Sequence, residues 1–269
     1  MEHLQLLPQY RTEFFAPLDI VADANAIESS VINRLIEPGR LIVLKRILII
    51  VVVLVVIGGV GLFILDRTIF APVAANTQAL NASILVSSDP AAKVYHIDAS
   101  QSEVHYEVNE TFVQGSRLNT AIGRTKGIAG DILVNVDQPS KSQIGPVVIN
   151  VSQFKSDEDR RDNFIRRSNL QSSQYPTATF VMRSLDGLPA QVKAGDQVSF
   201  TMTGDLTVKQ TTKPVTWNVT LKYDPQQLSG SAITNIKMSD FGVGPIQISL
   251  LATEDNVKLV FDFVAVPAS

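Results

Sequence analysis

The chain has 269 residues, a formal net charge of −3 and no cysteine. The lack of cysteine excludes a disulfide-stapled scaffold, and the near balance of charges argues against a nucleic-acid-binding protein, which should carry a basic excess. The length allows one soluble domain with accessory segments.

Residues 1–40 are predicted to form a polar tail. Scattered apolar positions between Asp23 and Glu37 recur at near-helical spacing, and Pro38-Gly39 ends that pattern. This favours a partly helical tail. A docking helix for a partner is the alternative, although no distinctive residue supports it.

A long apolar run follows the tail. Residues 47–65 contain 19 positions without a polar side chain, and Leu41–Leu44 extends the run toward the N-terminus. As a helix, the 19 residues would be roughly 28 Å long, close to the thickness of a bilayer core. We therefore predict a transmembrane helix over 41–65. A buried core helix is the alternative, but an uncharged run of this length favours the membrane.

The flanking charges predict the orientation of this helix. Arg40, Lys45 and Arg46 precede the apolar run, whereas Arg67 stands beside Asp66 on the other side. The positive-inside rule then predicts a single-pass cell membrane protein with a signal anchor, a cytoplasmic N-terminus and an extracytoplasmic C-terminal domain. A cleaved signal peptide is the alternative. Its n-region would be too long, although small residues do follow at 71–79.

Residues 66–92 are rich in Ala, Asn, Ser and Pro and poor in charge, which is typical of a linker. As a flexible chain, this segment would reach about 30 Å on average. The domain that follows, residues 93–269, would then stay near the membrane surface.

Short alternating strands dominate residues 93–269. Their apolar positions recur with period two, and glycines such as Gly204 and Gly230 are predicted to mark turns between them. Many short strands at this spacing predict a mainly β fold, an antiparallel sandwich or barrel. The inward set includes six candidate cavity residues: Tyr106, Phe180, Met182, Phe200, Met202 and Trp217. A filled core is the alternative, but a closed barrel of about eight strands can enclose one elongated apolar ligand.

One short helix is predicted over 157–170, with Ser156 as its cap and an Asp162–Arg166 pair along it. Phe164 and Ile165 give it a small apolar face, which would suit a lid at the mouth of a barrel. Four arginines on this helix are candidates for binding an anionic head group: Arg160, Arg161, Arg166 and Arg167. A solvated helix face is the alternative.

The sequence shows no catalytic pattern. It has no nucleophilic cysteine and no Gly-x-Ser-x-Gly motif, and His96 and Asp98 find no third ligand at the spacing of a metal site. We therefore expect no enzyme activity, no metal and no cofactor.

Four segments in order carry a resemblance to a known family. They are Tyr95–Asp98, Arg161–Arg166 with Tyr175-Pro176, Gly204–Val208 with Thr212–Val215, and Ser239–Val243. Together they resemble the YceI-like family of polyisoprenoid-binding, lipocalin-like barrels, over 93–267. The chain departs from the family pattern at Gln210 and Thr211, where members often have glycine, and at Met238, where they often have a basic residue.

The resemblance implies an antiparallel lipocalin-like barrel that holds an isoprenoid or fatty-acyl chain without catalysis. Phe164 of the helix and Phe241 of the late loop complete the cavity candidates. The predicted function is therefore a membrane-anchored lipid-binding protein for carriage, storage or sequestration. Two alternatives stay open: a ligand-sensing or structural envelope module, and an enzyme acting on an isoprenoid lipid.

Overall fold

The computed structural model describes residues 38–69, 75–76, 80–112, 117–248 and 251–268. It falls into two units divided after Ile69. The predicted tail lies outside the described residues up to position 37.

Helix α1 (Pro38–Ile69) is the described part of the first unit. Its described side chains are those of residues 42, 43 and 45–60, and the large apolar ones among them are 46% to 68% exposed. Counting only what the structure describes, no helix has the length and apolar content needed to cross a membrane. The predicted span over 41–65 is thus not confirmed, and residues 66–69 are helical rather than part of a linker.

Thirteen strands form one antiparallel sheet in the described part of the second unit. The prediction of a mainly β, antiparallel fold with few helices is confirmed. The strands are β1 (Ala92–Ile97), β2 (Glu103–Phe112), β3 (Arg117–Thr125), β4 (Ile128–Ala129), β5 (Asp131–Asn135), β6 (Gln143–Ile144), β7 (Val147–Asn150), β8 (Thr177–Asp186), β9 (Gln197–Val208), β10 (Thr211–Asp224), β11 (Gln227–Lys237), β12 (Gln247–Ile248) and β13 (Leu251–Pro267).

The sheet curls around its apolar face. The pairing runs β3-β2-β13-β11-β10-β9-β8-β7-β4, and β1, β5 and β6 continue from the second half of β13. At the end of β3, Arg124 and Lys155 exchange backbone hydrogen bonds of 2.8 and 2.9 Å. Thr125 Oγ1 also donates to the Asn150 carbonyl over 3.3 Å. The β3 edge therefore meets the chain that follows β7.

Buried and exposed residues alternate along the long strands, and the apolar residues predicted to face inward on β10 form part of the core. On β10, Val215, Trp217 and Val219 are buried, whereas the residues between them are exposed. This period of two follows from the pleat of a strand.

Gly204 and Gly230 lie inside β9 and β11, so their prediction as turn residues is wrong. A Cβ at Gly204 would stand 2.5 Å from Cζ of Phe180, and a Cβ at Gly230 would stand 2.8 Å from Cζ of Phe263. A Cβ would stand even closer to the Val181 carbonyl oxygen at Gly204 and to the Thr220 carbonyl oxygen at Gly230. These glycines therefore leave room for the backbone of a neighbouring strand and for an aromatic ring.

The helical region between β7 and β8 differs from its prediction. A 3₁₀ turn (Val151–Gln153) precedes helix α2 (Asp159–Phe164), and a π-helical turn (Ile165–Asn169) follows it. Two further 3₁₀ turns lie elsewhere, at Pro139–Lys141 and Ser239–Phe241.

The predicted cap and ion pair of α2 are both wrong. Glu158 caps the helix by accepting from the Arg160 amide. Ser156 instead donates to the carboxylate of Asp162, through its amide at 3.0 Å and its hydroxyl at 2.7 Å. Because Asp162 is 3% exposed and turned toward Ser156, it is not paired with Arg166.

The segment predicted as a linker is tied to the sheet at its described positions. The Asn76 amide donates to Ser152 Oγ over 2.8 Å, and its carbonyl accepts from Asn150 Nδ2 over 2.6 Å. The Leu85 amide donates to Asp131 Oδ2 over 2.9 Å. These buried or half-buried partners hold the segment along the domain.

Candidate binding site

Two adjoining cavities lie inside the curled sheet. Their volumes are about 90 and 140 Å³, well above the roughly 10–15 Å³ that a single water requires. Val104, Ile149 and Trp217 line both, so these residues form a wall that the two cavities share. The side chains that line them are mostly apolar, and none is charged.

The first cavity brings together four of the candidates: Phe180, Phe200, Met202 and Trp217. Met182 does not line it and instead packs against the surrounding core. A β-bulge between Met182 and Ser184 shifts the register of β8 on β9, so that Leu185 takes the next position in the lining. Residues that the sequence did not single out complete this wall, among them Ala232 and Tyr223.

The second cavity contains Tyr106, Trp217 and Phe241 from the candidates. Tyr106 packs edge-on against Phe154, with ring centroids 5.3 Å apart. Burial raises the pKa of the Tyr106 hydroxyl far above its usual range, and the carboxylate of Asp162 acts in the same direction. A protonated hydroxyl is in keeping with a cavity wall that carries no charged side chain.

A cover over the second cavity is built from three segments. Ile165 and Leu170 line the cavity from the π-helical turn and its end, and Phe241 does so from the 3₁₀ turn.

Hydrogen bonds join these segments to one another. Asn169 Nδ2 donates to the Val243 carbonyl over 2.9 Å. Lys209, at the β9–β10 hairpin, donates to the carbonyls of Asn169 and Gly242 over 3.2 Å each. The apolar contribution of the helix thus comes from Ile165, and Phe164 lies outside both linings.

The four arginines fall into different environments. Arg161 Nε lies 3.4 Å from Glu110 Oε1, and its Nη1 donates to Asp157 over 2.9 Å. Arg166 donates to the Phe154 carbonyl over 2.8 Å and to Asn163 over 3.0 Å. Arg167 is half-buried, and Arg160 is exposed. Arg161 and Arg166 are therefore engaged within the protein.

Glu110 on β2 is 2% exposed and was not among the site residues predicted from the sequence. It stands at the fourth position of the alternation that begins with Val104, Tyr106 and Val108. An acid in phase with an apolar face needs a buried partner. That signal could have identified Glu110 as a residue with a buried partner, but it does not point to Arg161.

A family model for the YceI-like domain matches residues 95–265. The chain belongs to the YceI-like domain family. Every side chain that lines the two cavities lies within the matched YceI-like domain.

Relatives of known sequence are similar to this chain, and one solved structure shares its fold. Protein YceI of Escherichia coli O6:H1 is 28% identical over 149 residues, which cover 51% of this chain and 73% of that protein. A UPF0312 protein of Pseudomonas putida strain F1 is 27% identical over 175 residues, covering 62% of this chain and 85% of the relative. The crystal structure of Burkholderia cenocepacia BcnA has a TM-score of 0.50 at 23% identity, covering 62% of this chain and 98% of BcnA, and supports the fold of the YceI-like domain.

Proposed function

We propose that the YceI-like domain binds one long-chain amphiphilic lipid, a polyisoprenoid or a fatty-acyl lipid, inside its curled sheet. The observation that carries this proposal is the uncharged lining of two cavities that lie side by side and share a wall at Trp217. Two apolar cavities in this arrangement suit an elongated ligand better than a compact one. The role of such a protein would be carriage, storage or sequestration of the lipid.

The cavities favour this proposal over a filled core. Protein interiors are packed nearly as densely as organic crystals, and voids larger than a water are few. Apolar cavities without polar partners do not hold water well, but they accept apolar guests. The described linings also carry no carboxylate, histidine, lysine or arginine, so they offer a bound lipid no charged acid or base.

On this proposal, the arginines of α2 have separate roles. Arg161 and Arg166 hold the helix and its turn in place through the contacts described above. An anionic head group outside the second cavity would instead meet Arg160, whose side chain is exposed. Guanidinium matches the geometry of phosphate and carboxylate, which suits this role.

A fluorescence titration tests the lipid proposal. Trp217 is the only tryptophan in the sequence and lines both cavities. A conjugated polyene fatty acid that enters the cavities should quench Trp217 emission by energy transfer, and the quenching should saturate at about one ligand per chain. Excess non-fluorescent lipid should reverse it. Emission that declines without saturation, and that competitor lipid does not restore, would argue against a site.

We propose further that residues 41–65 anchor the protein in a membrane. The apolar run of 47–65, the basic cluster before it and the exposed apolar side chains of α1 support this. Exposed apolar surface of this extent is costly in water. An anchor would also raise the effective concentration of the YceI-like domain near its lipid source.

Reporter fusions test the anchor and its orientation. A reporter that functions only outside the cytoplasm should be active after Ser269 and silent before Met1, because Arg40, Lys45 and Arg46 favour the cytoplasmic side. A control that replaces these three residues with glutamine should weaken the asymmetry. Activity at the N-terminus alone would show the opposite orientation, and a chain recovered without membrane association would exclude the anchor.

A further inference from the structure

The neighbouring ends of four strands carry exposed apolar side chains. The end of β2 lies between the starts of β3 and β13, and β12 lies on the other side of β13. Leu118 on β3 is 75% exposed and Ile248 on β12 is 51% exposed, more than any other large apolar side chain described on the strands. We call this region the hairpin end, and it comprises residues 111–112, 117–118, 247–248 and 251–252.

Apolar side chains lie on both faces of the hairpin end. Phe112 is paired with Leu251, and Leu251 is paired with Ile248, so these three share one face. Leu118 is paired with Thr111, the residue before Phe112, so it lies on the opposite face. A protein groove that covered one face would leave the other in water. A medium that surrounds the strand ends would cover both.

The hairpin end is nearly free of charge, since Arg117 is its only charged residue. The nearest acids along the strands are engaged within the protein. Glu110 is buried beside Arg161, and Glu254 accepts a hydrogen bond from Asn109 over 3.1 Å. An apolar surface with one cation suits the boundary of a bilayer, where hydrocarbon lies beneath phosphate groups.

We propose that the hairpin end docks the YceI-like domain on a lipid bilayer, with the side chains of Leu118 and Ile248 in the hydrocarbon. Transfer of exposed apolar side chains from water into hydrocarbon is favourable, and no charged side chain other than that of Arg117 has to approach the bilayer. This docking goes beyond lipid binding by the domain, because it holds whether or not the cavities contain a ligand. The anchor proposed over 41–65 would keep the domain within reach of the bilayer.

Docking in this way gives the domain an orientation. Along β13, Val257 and Leu259 line the second cavity and lie nearer to the hairpin end than Phe261 and Phe263, which line the first. The second cavity would therefore be the one closer to the bilayer.

Single fluorophores test the docking, because the chain has no cysteine of its own. Leu118→Cys and Ile248→Cys would each carry a polarity-sensitive fluorophore in the full 269-residue chain, reconstituted into phosphatidylcholine vesicles. We expect both fluorophores to emit at a shorter wavelength than in water. Both should also lose emission when some of the lipids carry a nitroxide on the acyl chain, because quenching requires that the label enter the hydrocarbon.

Two positions in the middle of other strands provide matched controls. Val181 on β8 is 46% exposed and Ile233 on β11 is 37% exposed, and neither belongs to the hairpin end. Fluorophores at Val181→Cys and Ile233→Cys should emit as in water and should keep their emission in the nitroxide vesicles. Because all four cysteines replace exposed side chains, the fold should be unchanged.

Equal quenching at all four positions, or quenching at none, would overturn the docking. Quenching at Leu118→Cys or Ile248→Cys alone would overturn the insertion of both faces. Short-wavelength emission at both without nitroxide quenching would show that a second copy of the chain covers the hairpin end, and would also overturn the proposal. The lipid titration monitored by Trp217 measures the cavities separately, so either proposal can fail without the other.

Discussion

Replacing Arg161 with leucine should destabilise the domain by about 3–5 kcal/mol, the usual cost of removing one partner from a buried ion pair. Glu110 is almost fully buried, and Arg161 is its charged partner in the structure, with Asn119 donating a further hydrogen bond over 3.2 Å. Without Arg161, the carboxylate would remain buried with one neutral donor. The midpoint of urea unfolding, monitored by Trp217 fluorescence, measures this loss.

The neighbouring arginine provides the matched control. Arg160 is exposed, so Arg160→Leu should change the free energy of unfolding by less than about 0.5 kcal/mol. Replacing the pair together, as Glu110→Met with Arg161→Leu, should recover much of the stability, because an apolar pair of similar volume avoids the unpaired charge. Equal losses for Arg160→Leu and Arg161→Leu would contradict the structural role assigned to Arg161.

Filling the first cavity should abolish lipid binding while the domain stays folded. Ala232 on β11 is 2% exposed and lines this cavity, so Ala232→Phe would place a ring in space that the ligand requires. We expect the affinity for the polyene fatty acid to fall at least tenfold, equivalent to about 1.4 kcal/mol. The variant should lose about 1–3 kcal/mol of stability through overpacking.

Ile233, the next residue on β11, supplies the control for that variant. It is 37% exposed, because successive side chains of a strand point to opposite faces. Ile233→Phe adds similar bulk to the outer face and should leave the affinity within about twofold of the original, because Ile233 lines neither cavity. If both variants bind the lipid as the original does, the first cavity is not the site.

The strands could be predicted from sequence because alternation is a local signal. Val215, Trp217 and Val219 have the same phase in the sequence that they have in β10. The aromatic candidates on these strands therefore lie in the interior, as predicted. A second local rule, that glycine marks turns, wrongly assigned Gly204 and Gly230. It takes no account of the backbone and the aromatic ring of neighbouring strands, which leave no space for a Cβ at these positions.

Other features depend on contacts that no periodicity in the sequence marks. The bulge at Met182–Ser184 changes which residues of β8 face inward, and nothing in the alternation marks it. Asp162 is turned inward by Ser156, so helix spacing wrongly paired it with Arg166. Glu110 meets Arg161 across 51 positions of sequence, a separation that no local pattern spans.

The cavities themselves could not be predicted from composition. A filled core and a hollow one have the same alternation, since the difference is how closely opposite walls approach. Phe200 and Met202 would be apolar and face inward in a filled core as well as in a hollow one. The arrangement of the curled sheet is what leaves space beside them. The resemblance to the YceI-like family supplied the expectation of a ligand, and the geometry shows the two cavities that we propose for it.

Native mass spectrometry of the purified 269-residue chain is the most direct test of whether the YceI-like domain holds a lipid. We expect a population heavier than the chain alone by the mass of one long-chain lipid, and solvent extraction should remove that mass and release the lipid. Filling the site with Ala232→Phe should remove the heavier population, whereas Ile233→Phe should retain it. If the chain is always recovered at its own mass, and if its mass does not increase when long-chain lipids are added, the YceI-like domain does not bind such a lipid.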